Sequence, residues 1–533
     1  MDGQLRTVDL VVLIAYMASV FGLGCWFARK SGTTQEFMAA GRSLPGWAVG
    51  LSIFGTYVSS IGFLGNTGKA YGGNWNSWVF GLSLPIAAII AVRYFVPLYR
   101  SSDSVSAYAQ LERRFGPWAR LYAMVLYLLS QLARIGSILY LVSLALAPLT
   151  GWDIRTIILV TGILVTLYTL IGGIEAVIWT DVVQSVVLVG GAILCAVVLV
   201  MEMPGGAEQL FQVAGDNDKF SLGSFSLELD TFTAPSPSFW MVLLYGTFIN
   251  LKNFGVDQSF VQRYITAKSD QDARNSVWIG TLMFPIVSVL FFFIGTGLFS
   301  LYHSDSELLD EVRHEEAVET LKSEGLEVTP EATAAMAASL KDTDFQDKVL
   351  PHFIVRKLPV GIAGLLIAAI FAAAMSSVDT SLNSSATLVL CDIVQPHVNP
   401  DISERQSMRV LYAATLIFGA VGTTVAVAMI NVDSALDTWW ILEGIFSGGM
   451  LGLFLLGILS RRAGNPQAIF GGVSGLLIIA WMVLSTQDFW PAEWSGWSNP
   501  LHKFMTIVVG TTAIVILGMF AALISGKTPE TSD

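Results

Sequence analysis

Runs of about 20 apolar residues recur along the whole chain, the length at which an α-helix crosses the hydrocarbon core of a bilayer. Val8–Phe27, Ile154–Ile171 and Val182–Met201 are the clearest, and about thirteen can be counted in all. Bilayer interiors hold no water for unpaired backbone groups, so segments of this length fold as helices. Composition agrees, with 53% apolar and 13% charged residues, whereas soluble domains carry about 25% charged residues. The expected fold class is an all-α polytopic membrane protein, one integral membrane domain over 1–533.

Charge placement gives an orientation. Asp2 and Arg6 precede the first apolar run, Arg29 and Lys30 follow it, and no small-residue cleavage site appears. The run therefore reads as a retained helix with its N-terminus outside, not as a signal peptide. Alternate loops then hold the basic residues expected on the cytoplasmic side: Arg42, Arg100, Arg113, Arg114, Arg120, Arg263, Lys268, Arg274, Arg405, Arg409, Arg461 and Arg462. The intervening loops Glu202–Ser238 and His303–Leu350 are acidic and fall outside. An inner (plasma) membrane with the C-terminus in the cytoplasm follows.

Much of the net charge of −12 sits in 303–350, where Ser306–Ser323 and Pro330–Leu340 read as short helices of a solvated external excursion. An acidic balance argues against nucleic-acid binding. Cys25, Cys195 and Cys391 are far apart, and the five histidines lie in loops or at segment ends. No metal spacing or nucleophile–base pair stands out, so nothing calls for an enzyme, and no signalling domain is visible after Ser525.

The segments divide into a leading helix (8–27), a first group of five (44–201), a second group of five (239–459) and two trailing helices (466–525). The groups begin an odd number of helices apart and so run in opposite senses, the inverted-repeat plan of many secondary transporters. The first segment of each group is unusually polar. Trp47–Tyr71 holds Gly55, Thr56, Ser59, Ser60, Gly62, Gly65 and Asn66; Phe239–Tyr264 holds Gly246, Thr247, Asn250, Lys252, Asn253 and Gly255. Small residues also allow close helix packing, but the matched pair predicts broken helices flanking a midplane site.

Three polar positions within spans carry chemistry, since such residues are costly at membrane depth. Arg134 lies mid-segment in Leu121–Leu149, roughly 20 Å from either interface at about 1.5 Å per residue, too far to snorkel. Its fork suits a substrate carboxylate, or else a structural pairing with Asp181 or Asp379. Asp181 opens a predicted helix at 180–201, where the bland reading is a hydrated N-cap and the other a functional carboxylate within a span. In Ala372–Asn383, Ser376, Asp379, Thr380 and Asn383 share one helical face. These oxygens suit a hard cation such as sodium; hydroxyls that merely bond their own helix are the alternative. Asp379 requires a counter-ion: sodium, Arg134 or a proton.

Three pieces carry a family resemblance: Gly172-Gly173-Ile174-Glu175-Ala176-Val177-Ile178-Trp179-Thr180-Asp181-Val182-Val183-Gln184, then Asp257-Gln258 with Val261-Gln262-Arg263, and the Ala372–Asn383 run. With these, the chain resembles the sodium/solute symporters, nearest to the bacterial sialic acid transporters, with sodium/sugar symporters as further relatives. The resemblance implies a LeuT-type 5+5 inverted-repeat core with one extra N-terminal and two extra C-terminal helices. It implies a sodium site made by the carbonyls of Gly55, Val58 and Ala373 and the hydroxyls of Ser376 and Ser377. A second sodium site would use Asp181, Ser376, Asp379 and Thr380, with Asp379 standing where the pattern has a serine.

Arg134 matches the arginine that grips a substrate carboxylate. Ser59 is kept, but Tyr57, Gly62, Ser77 and Gly81 depart from the sialic acid pattern, and Asn250 and Asn253 line the opposite wall. The expected function is sodium-coupled import of a polar organic solute, a carboxylate-bearing sugar such as sialic acid or a relative, by alternating access. Proton coupling, motivated by Asp379, and a non-transporting solute sensor are the alternatives.

Overall fold

The computed structural model describes residues 6–28, 32–102, 104–234, 236–431, 435–487 and 489–525. Asp2, Arg29 and Lys30, which entered the orientation argument, lie outside the described residues, as does everything after Ser525. Every expected apolar segment falls on helix, and among the described residues there is no strand. Among the described residues, nine helices are long and apolar enough to cross a membrane, or ten when one bent pair counts as a single span. Shorter apolar helices add Ile154–Leu170 and Glu443–Leu459.

Helix α1 (Thr7–Ala28) leads the chain. The first group begins with two half-helices, α2 (Gly46–Tyr57) and α3 (Ser60–Gly72), bent by 52°. Then follow α4 (Trp75–Arg100), α5 (Pro117–Thr150) and α6 (Ile154–Glu202). The second group also opens broken, as α7 (Phe239–Val256) and α8 (Gln258–Thr266), and continues with α9 (Asp270–Ser304). After an excursion come α13 (Ile362–Leu388), α14 (Glu404–Ala428) and α15 (Ala435–Leu459), then the trailing pair α16 (Asn465–Leu484) and α17 (Met505–Ile524). Helices α6 and α13 pack along each other, and α1 lies against both.

Two expectations change. Between Ile171 and Thr180 the chain makes its turn at one residue, Gly173 (φ 59°, ψ −165°), where a Cβ would stand 2.9 Å from the Phe37 Cα. That backbone conformation excludes L side chains. Residues 174–179 therefore join the following helix, and Asp181 lies two turns inside it, fully buried. It is not the hydrated N-cap the sequence suggested.

The acidic segment 303–350 also does more than project into solvent. Its first two helices, α10 (Ser306–Ser323) and α11 (Pro330–Ser339), match expectation. A third, α12 (Asp342–Arg356), buries Phe345, Val349, Leu350 and Phe353 and packs on α3 and α5. Within it His352 accepts a hydrogen bond at Nδ1 from the Tyr302 hydroxyl, 2.7 Å away, if its proton sits on Nε2. Burial pushes the His352 imidazole down to about 4, and the nearby Arg356 cation pushes the same way. The Glu311 carboxylate 3.5 Å away does not offset this.

Two outcomes follow from these contacts. Gly173→Ala lowers the thermal midpoint, by strain and overpacking of about 1–3 kcal/mol. Gly190→Ala, with open space around its Cβ, holds or slightly raises it in the same detergent scan. For His352 the unfolded chain takes up its proton near the ordinary 6.5 and the folded chain only near 4, so folding is favoured above 6.5 and loses stability as pH falls towards 4. Hydrogen exchange in α12, corrected for intrinsic rates, is therefore faster at pH 5 than at pH 7.5, and His352→Gln flattens the difference.

Candidate ion and substrate sites

The break between α2 and α3 frees backbone oxygens at membrane depth, which is tolerable only where protein or a cavity meets them. Val58 leaves the helix (φ −84°, ψ 86°). The Ser59 N–H turns to the Tyr57 carbonyl (3.2 Å) and the Gly62 N–H to the Ser59 Oγ (3.2 Å). The carbonyls of Gly55 and Val58 thereby lose the amides that a continuous helix would supply. Facing them on α13, the Ser377 Oγ donates to the Ala373 carbonyl (3.3 Å) and stands 3.5 Å from the Thr56 carbonyl. The Ser376 Oγ is buried without a partner, and a Cβ on Gly55 would sit 3.2 Å from it. Freed carbonyls and two hydroxyls, one of them without a partner, form a donor set that suits a hard cation such as sodium.

Next to this position lies a fully buried ion pair. Arg263 Nη2 is 2.9 Å from Asp181 Oδ2 and also bonds the Thr380 hydroxyl, while its Nε donates to the Ser52 Oγ at 2.7 Å. Ser52 in turn donates to Asp181. One guanidinium thus ties α2, α6, α8 and α13 together. Arg263 reads from sequence as a cytoplasmic loop charge; the structure places it in α8 at 1% exposure. The preceding residue, Gln262, donates to Asn383 Oδ1 (2.9 Å) on the same face of α13. Asp379 takes its hydrogen bond from the Tyr168 hydroxyl and has no basic residue within ion-pair distance among the described residues. Asp181, Ser376, Asp379 and Thr380 are brought together, with Arg263 among them.

Arg134 pairs with neither aspartate. Its Nη2 donates to the Thr56 carbonyl at 3.0 Å, and no carboxylate lies within 4 Å among the described residues. It borders a cavity of about 300 Å³ whose wall includes Tyr57, Ser59, Gly62, Ser77 and Asn253 and which reaches Asp347 of α12. Two expected residues are not on that wall. Gly81 rests against Phe284 (3.5 Å from a built Cβ), and Asn250 is fully buried, accepting from the Tyr57 hydroxyl and donating to the Ser83 Oγ at 2.8 Å.

The wall also holds charges not assigned from sequence. Lys252 Nζ lies 3.0 Å from Asp257 Oδ2 and 2.7 Å from Glu443 Oε1, all three bordering the cavity. Asp257 stands at the second helix break, where its Oδ1 caps α8 through the Ser259 N–H (2.9 Å). Lys252 was visible as a charge in an apolar run. Glu443, an acid inside the span Trp439–Leu459, carried the same signal.

An all-helical membrane fold with two broken helices, freed carbonyls and a half-buried arginine bordering a cavity defines a secondary transporter. A sequence profile described as "Sodium:solute symporter family" matches residues 37–475, and the chain belongs to that family: it is a sodium-coupled symporter, not an enzyme. It is 32% identical to the sodium/sialic acid symporter NanT of Aliivibrio fischeri over 97% of this chain and 93% of that one. It is 26% identical to human sodium-coupled monocarboxylate transporter 1, over 92% of this chain and 75% of that one. The solved substrate-bound, outward-open state of a Na+-coupled sialic acid symporter superposes with a TM-score of 0.82 at 30% identity, covering 97% of this chain and 98% of the other.

Removing one member of a buried ion pair strands the other. Arg263→Met alone should lower stability by about 3–5 kcal/mol, and adding Asp181→Asn should recover most of it. Thermal unfolding of the single and double variants in detergent measures both steps.

Proposed function

We propose that this symporter imports a carboxylate-bearing sugar of the sialic acid type by alternating access. The observation that carries this reading is Arg134, a guanidinium at membrane depth that borders the cavity with no carboxylate within 4 Å among the described residues. A substrate carboxylate would supply that charge in the bidentate geometry the fork favours. The Lys252–Asp257–Glu443 group adds acceptors and a donor on the same cavity wall, a use for a hydroxylated substrate that a bare monocarboxylate lacks. Tyr57, Ser59, Gly62, Ser77 and Asn253 form the rest of the contact surface, and Asn250 acts through Tyr57.

Two sodium positions are assigned: Gly55, Val58, Ala373, Ser376 and Ser377 for the first, and Asp181, Ser376, Asp379 and Thr380 for the second. The first joins α2 to α13, so sodium there would hold the break in the shape that completes the cavity. The repeats are taken as 44–201 and 239–459, with the N-terminus outside, the C-terminus in the cytoplasm and the inner membrane as location.

Energetics favour two ions for an anion. One sodium with a monovalent anion moves no net charge, and a tenfold sodium gradient then supports only about tenfold accumulation. A second sodium adds about 2.3 kcal/mol per 100 mV and a further 1.4 kcal/mol, raising the limit to roughly 5,000-fold.

Uptake into proteoliposomes tests the reading. A radiolabelled sialic acid should accumulate with an inward sodium gradient and not with potassium, and lactate should compete poorly. Arg134→Gln should cut uptake efficiency by roughly 100-fold, from the lost charge-assisted pair, and Ser377→Ala should raise the sodium needed. Equal uptake in sodium and potassium would end the proposal.

A further inference from the structure

Buried side-chain atoms without hydrogen-bond partners gather beside the second sodium position. They are the Tyr16 hydroxyl on α1, Asp181 Oδ1 and both amide atoms of Gln184 on α6, and Ser376 Oγ on α13. Asp181, Gln184 and Ser376 are at most 1% exposed. Asp181 and Gln184 are one turn apart on α6, as are Ser376 and Asp379 on α13. The Tyr16 hydroxyl lies beside the Gln184 amide, within the field of the Asp379 and Asp181 carboxylates. Tyr16 with Gln184, and Asp181 with Ser376, approach one another without closing well-formed hydrogen bonds; groups left short of partners cost about 1–3 kcal/mol each, and a bound polar group would complete them.

Charge identifies what that is. Arg263 neutralises Asp181, whereas Asp379 has only neutral donors, the hydroxyls of Tyr168 and Thr380. The group therefore lacks one positive charge. Its available atoms are chiefly oxygens, which a hard monovalent cation prefers.

We propose that the leading helix completes the second sodium site, with the Tyr16 hydroxyl and the Gln184 Oε1 joining Asp181, Ser376 and Asp379 as ligands. The inference rests on the second sodium position above and extends it to α1, which lies outside both repeats. Helix α1 packs on both helices that bear the other ligands. Sodium there would pin α1 to the α6–α13 pair and link the leading helix to the transport cycle.

Sodium titration of thermal stability in the purified full-length protein, in potassium-balanced buffer, tests this without any transport assay. The wild type should show a cooperative sodium response with a Hill coefficient above one. Tyr16→Phe, which keeps the ring and its packing, should raise the half-saturating sodium concentration roughly tenfold and bring the Hill coefficient to about one. Gln184→Leu should do the same, while Gln184→Glu, which keeps the oxygen, should retain the wild-type midpoint or lower it. Binding of substrate at saturating sodium should change less than twofold in Tyr16→Phe. If Tyr16→Phe and Gln184→Leu both titrate like the wild type with a lower starting stability, Tyr16 and Gln184 are only packing and the inference is overturned. A wild type that responds identically to sodium and potassium removes the sodium sites themselves, which is a different failure.

Discussion

The buried pair of Arg263 and Asp181 is the contact on which the arrangement of the core rests. Charges at membrane depth are tolerated when paired and hydrogen-bonded, and this pair recruits Ser52, Thr380 and the Ser259 carbonyl. The pair and these partners come from four elements, so the pair fixes how α2, α6, α8 and α13 cross. The ends of both broken helices are thereby brought to the same face of α13. Where α2 ends, the freed carbonyls of Gly55 and Val58 face Ser376 and Ser377. Midway along α8, Gln262 and Arg263 hold Asn383 and Thr380.

This geometry separates two kinds of buried charge. Arg263 is saturated by protein groups and acts as structure. Arg134 spends one donor on the Thr56 carbonyl and keeps the rest for the cavity, so it is available to a ligand. The Thr56 carbonyl also stands near Ser377, so one peptide at the helix break touches both the arginine proposed to meet substrate and the serine proposed to meet sodium. Physical coupling between sodium and solute can pass through that single peptide. A shift of the break on sodium release would move the partner that positions Arg134.

Membrane proteins of this kind reveal much of their fold in sequence because lipid is a strict solvent. The two polar, glycine-containing helices were legible as broken because irregular backbone at depth must line a site. The serine face of α13 was legible because four polar residues at helical spacing have no place in a lipid-facing stripe. Arg263 was not legible. A basic residue at the end of an apolar run reads as an interfacial anchor, and only the packing of α8 beneath α13 shows it to be enclosed. Asp181 was misread for a related reason: Gly172-Gly173 signals a turn, but not that the turn occupies one residue.

The sequence by itself determined the class, since runs of apolar residues of spanning length admit little else than a helical membrane bundle. It also singled out Arg134, Asp181 and Asp379 as polar positions that need an explanation, because a charge well inside an apolar run is conspicuous. Only the tertiary structure decided the partners. Arg134 could equally have been paired with Asp181 or Asp379 from spacing alone, since residues far apart in the chain carry no mark of which helix they meet. Helix packing gave Asp181 to Arg263 and Asp379 to Tyr168, and left Arg134 with no carboxylate within 4 Å among the described residues.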